Sequence, residues 1–216
     1  MIALLLGAVL GAPQDDPAAR EALARLETRL KEARTLSARI VQERTTALLE
    51  EPLRSSGTLY YRREPARLVL QLSDPHPVTV HLGRSSYQVY RPDEKRLERF
   101  DFEDPEMGPR LLTAFEPRSE DIGKAFTVRR GEGGPGEVEI VLEPRDPKLA
   151  RRVRRLVLRT DPEGLLRRIV FTDPEGDEVT FILSDVKLNP EIPADTFELR
   201  VPEGTRILRH SVPAEK

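Results

Sequence analysis

Ser56-Gly57-Thr58-Leu59-Tyr60-Tyr61-Arg62-Arg63-Glu64-Pro65-Ala66-Arg67-Leu68-Val69-Leu70-Gln71-Leu72 is the stretch from which the rest of the chain can be read. It holds two alternating runs that meet at a proline. Successive side chains of a strand point to opposite sides, so Leu59, Tyr61 and Arg63 share one face of the first run, and Leu68, Leu70 and Leu72 share one face of the second. Thr58, Arg62, Arg67 and Gln71 fall on polar positions, with Arg62 turned to solvent. Pro65 has no amide proton and belongs to the turn between the strands. An antiparallel pair with one strongly apolar face needs a cover on that side, either packed core or a bound ligand.

Upstream of this pair the period changes. Asp15-Asp16-Pro17 is a helix start, with an acidic cap and proline in the first turn. Leu23, Leu26, Leu30, Ala33 and Leu36 then recur at helical spacing, which predicts an amphipathic helix of about five turns. Strands are expected over 38–48, 57–63, 66–73, 77–82, 86–91 and 95–101. Pro109 to Phe115 and Ser119 to Ala125 read as two short helices, the second capped by Ser119. Strands resume over 126–130, 137–143, 152–160, 165–172, 178–188 and 196–200. Thr160-Asp161-Pro162-Glu163-Gly164 and Thr172-Asp173-Pro174-Glu175-Gly176 repeat one pentapeptide, which reads as shared turn chemistry. About a dozen antiparallel strands, one helical insert and one leading helix give a mainly β, α+β fold: a strongly curved sheet with a helical lid.

The 216 residues suffice for one domain, and no Gly/Ser/Pro-rich linker divides them. Hydrophobic content of 38% against 33% charged residues suits an open, thin-walled architecture. The formal charge of −2 argues against a dedicated nucleic-acid binder. Without cysteine the chain has no thiolate metal site, disulfide or cysteine nucleophile. Ile2 to Leu10 is an apolar run of signal-peptide length, followed by the small residues Gly11 and Ala12. No basic residue precedes it. The expected organisation is a signal peptide at 1–13, one domain at 14–209 and a tail at 210–216.

Reaction chemistry finds little foothold. His76 in a Pro-rich turn, His81 on the polar face of a strand and His210 in the tail share no metal-ligand or catalytic spacing. Gly131 to Gly136 is glycine-rich but lacks the lysine and hydroxyl of a phosphate-binding loop. Asp173, Glu175, Asp177 and Glu178 cluster on a hairpin turn without the spacing of a calcium loop. Arg151, Arg152, Arg154 and Arg155 form a basic run without interleaved aromatics, read as a solvated strand start, with contact to anionic lipid headgroups as the functional alternative.

The central stretch also resembles a family. A small-Gly-x-Leu-aromatic-x-basic-basic run, then proline and an alternating strand, is similar to the periplasmic lipoprotein carriers of the LolA type. Tyr87 to Pro92, the run Val141-Leu142-Glu143-Pro144, Gly164 to Gly176, and Asp185, Val186, Asn189, Ile192, Phe197, Pro202 and Gly204 resemble later segments of the family in the same order. The resemblance implies an incomplete β-barrel closed by a lid, formed by the N-terminal helix and a helical insert near 105–125. It implies a soluble periplasmic carrier and chaperone, a monomer without cofactor, metal or catalytic residue. This carrier binds lipid acyl chains in a hydrophobic cavity and moves lipoproteins from the inner to the outer membrane. An inner-membrane release complex and an outer-membrane acceptor would be its partners. The expected lipid-binding wall is Leu59, Tyr61, Leu68, Leu70, Leu72, Val80, Tyr87 and Val89. The expected lid surface is Leu23, Leu26, Leu30, Leu111, Leu112, Phe115 and Ile122. Arg63 falls where the family carries an arginine that bonds to the lid. Glu64 separates it from Pro65, whereas the family has Arg-Pro adjacent, so the alternative is that Arg62 turns inward. A regulatory or sensory binding module of the cell envelope is the second reading of the same fold.

Overall fold

The computed structural model describes residues 15–112, 115–134 and 136–214. Helix α1 (Pro17–Lys31) starts where the sequence places it: the Asp16 side chain accepts from the amides of Ala18 and Ala19. It is shorter than its period suggests. Glu32 caps it, and Leu36 instead belongs to the first strand, β1 (Thr35–Thr45). There follow β2 (Leu53–Arg62), β3 (Arg67–Asp74), β4 (Val78–Gly83), β5 (Ser86–Arg91) and β6 (Arg96–Phe102). Helices α2 (Met107–Leu112) and α3 (Ser119–Ala125) precede β7 (Phe126–Arg130) and β8 (Val138–Pro144). A one-turn helix, α4 (Pro147–Ala150), lies ahead of β9 (Arg155–Thr160), β10 (Leu166–Thr172) and β11 (Glu178–Leu188). A 3-10 turn (Ala194–Phe197) leads to β12 (Arg206–Val212).

All twelve strands form one sheet in the order β12-β6-β5-β4-β3-β2-β1-β11-β10-β9-β8-β7. Two meanders, β2 to β6 and β7 to β11, meet along β1, which pairs with β2 on one side and β11 on the other. Laid flat, such a sheet would measure about 50 Å across, against about 22 Å for the 15 residues of α1. Yet one apolar cluster joins Leu59, Tyr61 and Leu82 of the first meander to Ile140, Leu142, Leu158 and Leu183 of the second through α1, α2 and α3. The sheet therefore curls around its helices, and its edges β12 and β7 stay unpaired with each other. Ala19, Ala22, Leu23, Leu26 and Leu30 are the buried stripe of α1.

The repeated pentapeptide works as turn chemistry. The Asp173 carboxylate accepts the amides of Gly176 and Asp177, Asp161 accepts that of Leu165, and Gly164 and Gly176 take positive φ.

Several expectations need correction. Asp146 caps α4, an element with no counterpart among the expected ones. Ser119 does not cap α3; Arg118 stands at that position and the Ser119 hydroxyl donates to Glu27 instead. The strand expected over 196–200 is the 3-10 turn and an extended segment. The final strand runs to Val212, so residues 210–212 belong to the sheet and not to a tail. It is held by parallel pairing to β6 and by His210 stacking on Phe100 at 4.7 Å.

His81 is the other correction. It lies on the outer face opposite Val69 and is only 6% exposed, and the chain after β11 packs on the neighbouring strand of this face. The 3-10 turn packs against β3, Phe197 is buried, and the Arg62 guanidinium sits 4.5 Å from the centre of its ring. Arg62 is thus a packed residue and not a solvated one. Burial, reinforced by the nearby Arg67 charge, lowers the His81 pKa to about 4.

Candidate apolar wall and lid

Strand register assembles the inner wall. Leu59, Leu70, Val80 and Val89 lie opposite one another across β2 to β5, and Tyr61, Leu68, Leu82 and Tyr87 form the adjacent row. The two rows differ in cover along their length. Leu59 and Tyr61 are buried beneath the helices, whereas Leu68, Leu70, Leu72, Val80 and Tyr87 remain partly exposed. Leu68, Leu70, Leu72 and Tyr87 pack against the margin of the central cluster. Val80 and Val89 continue the first row outside that cluster, with Val89 buried. Leu23, Leu26, Leu30, Leu112 and Ile122 from the helices, and Phe115 from the turn after α2, where the sequence predicts helix, all join the cluster. Leu111 does not: α2 turns Leu112 inward and leaves its neighbour 48% exposed, as the 100° step of a helix requires.

Three polar clasps tie the helical layer to the sheet and to itself. At the first, the turn 63–66 absorbs Glu64, with Arg62 opposite Arg67, so that Arg62 and Arg63 reach different faces. Arg63 donates from Nε to the Ala33 carbonyl at 3.0 Å and from Nη2 to the Leu30 carbonyl at 2.5 Å. These carbonyls lie at and just beyond the end of α1, where the regular ladder runs out and Leu30 accepts the tightened Ala33 amide bond at 3.1 Å. At the second, the Tyr61 ring stacks on Phe115 at 5.6 Å and its hydroxyl donates to Glu116 Oε1 at 2.6 Å. Arg84 stands 3.7 Å from the same carboxylate. Burial first, then the Glu116 carboxylate, pushes the Tyr61 hydroxyl well above the usual phenol range.

The third clasp joins helix to helix. Glu27 of α1 accepts the Ser119 amide at 2.9 Å and the Ser119 hydroxyl at 2.5 Å, and pairs with Lys31 at 2.6 Å. The Lys31 ammonium, followed by the two Ser119 donors, lowers the Glu27 pKa to about 2. At its other end α1 is pinned to β7. Asp16 donates its amide to the Val128 carbonyl at 2.8 Å, and Asp15 accepts the Val128 amide and Arg145, each at 2.7 Å.

Sequence reasoning singled out Arg63 but missed Glu27, Glu116 and the hydroxyl of Tyr61. Glu27 sits at i−4 from Lys31 and reads as an ordinary surface pair. Nothing local links it to Ser119. No group of His, Asp and Glu residues suited to hold a metal ion occurs among the described residues. Nor is any described helix long and apolar enough to cross a membrane.

A curled, open sheet carrying an apolar inner wall under polar-clasped helices is the architecture of a lipid-carrier fold. The family profile "Outer membrane lipoprotein carrier protein LolA" matches residues 31–200, and the chain belongs to this family. Its members are carrier and binding proteins, not enzymes. The chain is 25% identical over 207 residues to an outer-membrane lipoprotein carrier protein of Azotobacter vinelandii, spanning 95% of this chain and 97% of that one. An uncharacterized conserved protein from Thermus thermophilus shares the fold at 15% identity, with a TM-score of 0.57 over 89% of this chain and 99% of that one. MucB shares it at 14% identity and a TM-score of 0.55, over 86% of this chain and 64% of that one.

Proposed function

We propose that this protein is a periplasmic carrier that takes up lipid acyl chains between the inner wall and the helices and moves lipoproteins from the inner to the outer membrane. The observation that carries the proposal is the partly exposed row Leu68, Leu70, Leu72, Val80 and Tyr87 beside the buried lid contacts Leu23, Leu26, Leu30, Leu112, Phe115 and Ile122. A packed core would cover both. An acyl chain laid along that row gains about 0.8 kcal/mol for each methylene removed from water, with no covalent step. Clasps made of a few hydrogen bonds let the helices lift without breaking the strand ladders. Arg63 is the proposed latch.

In this reading residues 1–13, which lie outside the described residues, direct export, and residues from 14 onward form a single monomeric carrier domain. The partners are an inner-membrane release complex and an outer-membrane acceptor. Mass spectrometry of an organic extract of protein purified from its native envelope tests the proposal. Diacyl or triacyl species at stoichiometric level support it. A lipid-free protein held by a tight protein partner would instead favour a regulatory or sensory module on this fold.

A further inference from the structure

The turn joining β1 to β2 carries three of the exposed large hydrophobic residues: Leu48 is 94% exposed, Leu49 39% and Leu53 57%. They sit on an ordered turn, since Leu49 donates its amide to the Thr46 carbonyl at 3.2 Å and Leu48 donates to the Thr46 hydroxyl at 3.3 Å. The hairpin also projects. β3 pairs with β2 only from Ser56 onward and β11 pairs with β1 only up to Thr45, so no strand of the described residues flanks 46–52. Alternation along β2 puts Leu53 on the same face as Gly57, Leu59 and Tyr61, which is the inner wall. The tip therefore prolongs the apolar wall at the end of the sheet remote from Arg63 and the end of α1.

We propose that this tip docks the open end of the wall onto a phospholipid bilayer, Leu48 and Leu49 entering the acyl layer; this rests on the carrier reading above. Charge identifies the kind of surface. Glu50 and Glu51 are exposed beside the leucines, Arg54 is paired with Glu43 at 3.6 Å, and Arg44, exposed opposite Leu53, is outnumbered by the two glutamates. A tip with this acidic balance disfavours an anionic surface and suits a zwitterionic one. Two leucines give a weak, reversible attachment, which a shuttling carrier needs.

The sequence contains no tryptophan, so Leu48→Trp is a single fluorescent reporter. In phosphatidylcholine vesicles its emission is expected to shift to the blue and to be quenched by brominated acyl chains, with little change at high salt. Glu163→Trp, on an exposed turn at the opposite end of the sheet, should not shift. Leu48→Ser combined with Leu49→Ser should lower vesicle association about tenfold or more, while a fluorescent fatty acid titrated without vesicles binds as in wild type. No shift at Leu48, an equal shift at Glu163, or a shift that requires a purified protein instead of lipid would overturn the inference. Wild type that docks on vesicles yet takes up no fatty acid would overturn the carrier reading and leave the docking surface standing.

Discussion

The Arg63 guanidinium closes on the Leu30 carbonyl at 2.5 Å and so ties the β2–β3 turn to the last turn of α1. A second bond to Ala33 at 3.0 Å makes this a two-point hold on a helix end. Charge-assisted bonds of this kind contribute about 1.5–3 kcal/mol each. Arg63→Leu should therefore raise the opening equilibrium of α1 by about 100-fold or more, read as faster hydrogen exchange over 17–31 with the strands still protected. Unchanged protection would remove Arg63 as latch.

Its neighbour should act on a different part of the chain. Arg62 stacks on Phe197, so Arg62→Ala should loosen residues 189–212 and leave α1 alone. A cation–π contact contributes about 0.5–2 kcal/mol, enough to be visible in exchange over that segment. Loss of protection in α1 would mean that the two arginines share the latch.

Glu27 sets an acid limit on the lid. Its pKa is about 2 in the folded chain, below the ordinary 4.5, so its contribution is complete above pH 4.5 and is lost as pH falls toward 2. Glu27→Gln should cost about 1.5–3 kcal/mol at pH 7, release α3 from α1 and flatten the acid limb between those values. Thermal melts of both proteins from pH 7 to pH 2 check this.

His81 gives a separate, milder acid sensitivity. Its folded pKa of about 4 lies below the ordinary 6.5, so the unfolded chain binds the proton first and stability falls as pH drops from 6.5 to 4. The loss should reach about 2–3 kcal/mol at pH 4. His81→Leu should abolish it, bringing the melting temperatures at pH 7 and pH 4.5 together. A pH dependence that persists in the variant would place the titrating group elsewhere.

Leu70 and Ile140 separate wall from core. Leu70 is partly exposed, so Leu70→Glu should keep the far-ultraviolet circular dichroism of wild type while weakening fluorescent fatty-acid binding at least tenfold. Ile140 is fully buried, and Ile140→Glu should not fold. Unfolding of the Leu70 variant would make that row ordinary core.

What could be read from the sequence was whatever local chemistry dictates. Asp16-Pro17 marks the start of α1, alternation marks Leu59, Tyr61, Leu68 and Leu70, and the Asp-Pro-Glu-Gly runs mark two hairpins. What escaped it depends on residues far apart in the chain. His81 sits at a polar alternation position, and its burial comes from tertiary packing on the outer face that alternation cannot announce. β12 has adjacent Ile207 and Leu208 among polar residues, with no alternation to announce a strand; β6 supplies its order through a parallel ladder. Glu27 and Ser119 each look locally satisfied, and their bond exists only once α3 folds back over α1. Arg63 could be singled out from its neighbours, but the choice between it and Arg62 depended on how the turn absorbs Glu64.

The pairing of β1 with β11 has a kinetic corollary. Every hairpin within the two meanders joins neighbours in the chain, but Ile40 finds Leu183 only across about two-thirds of the sequence. Closing so large a loop costs entropy before any contact repays it, so the rate of acquiring the native state is governed by this central seam. Until the last strand of the second meander is synthesised, the N-terminal half has a bare edge at β1 and no partner to zip against. Such an edge can pair with another chain until β11 covers it, so the yield of refolding should fall as protein concentration rises.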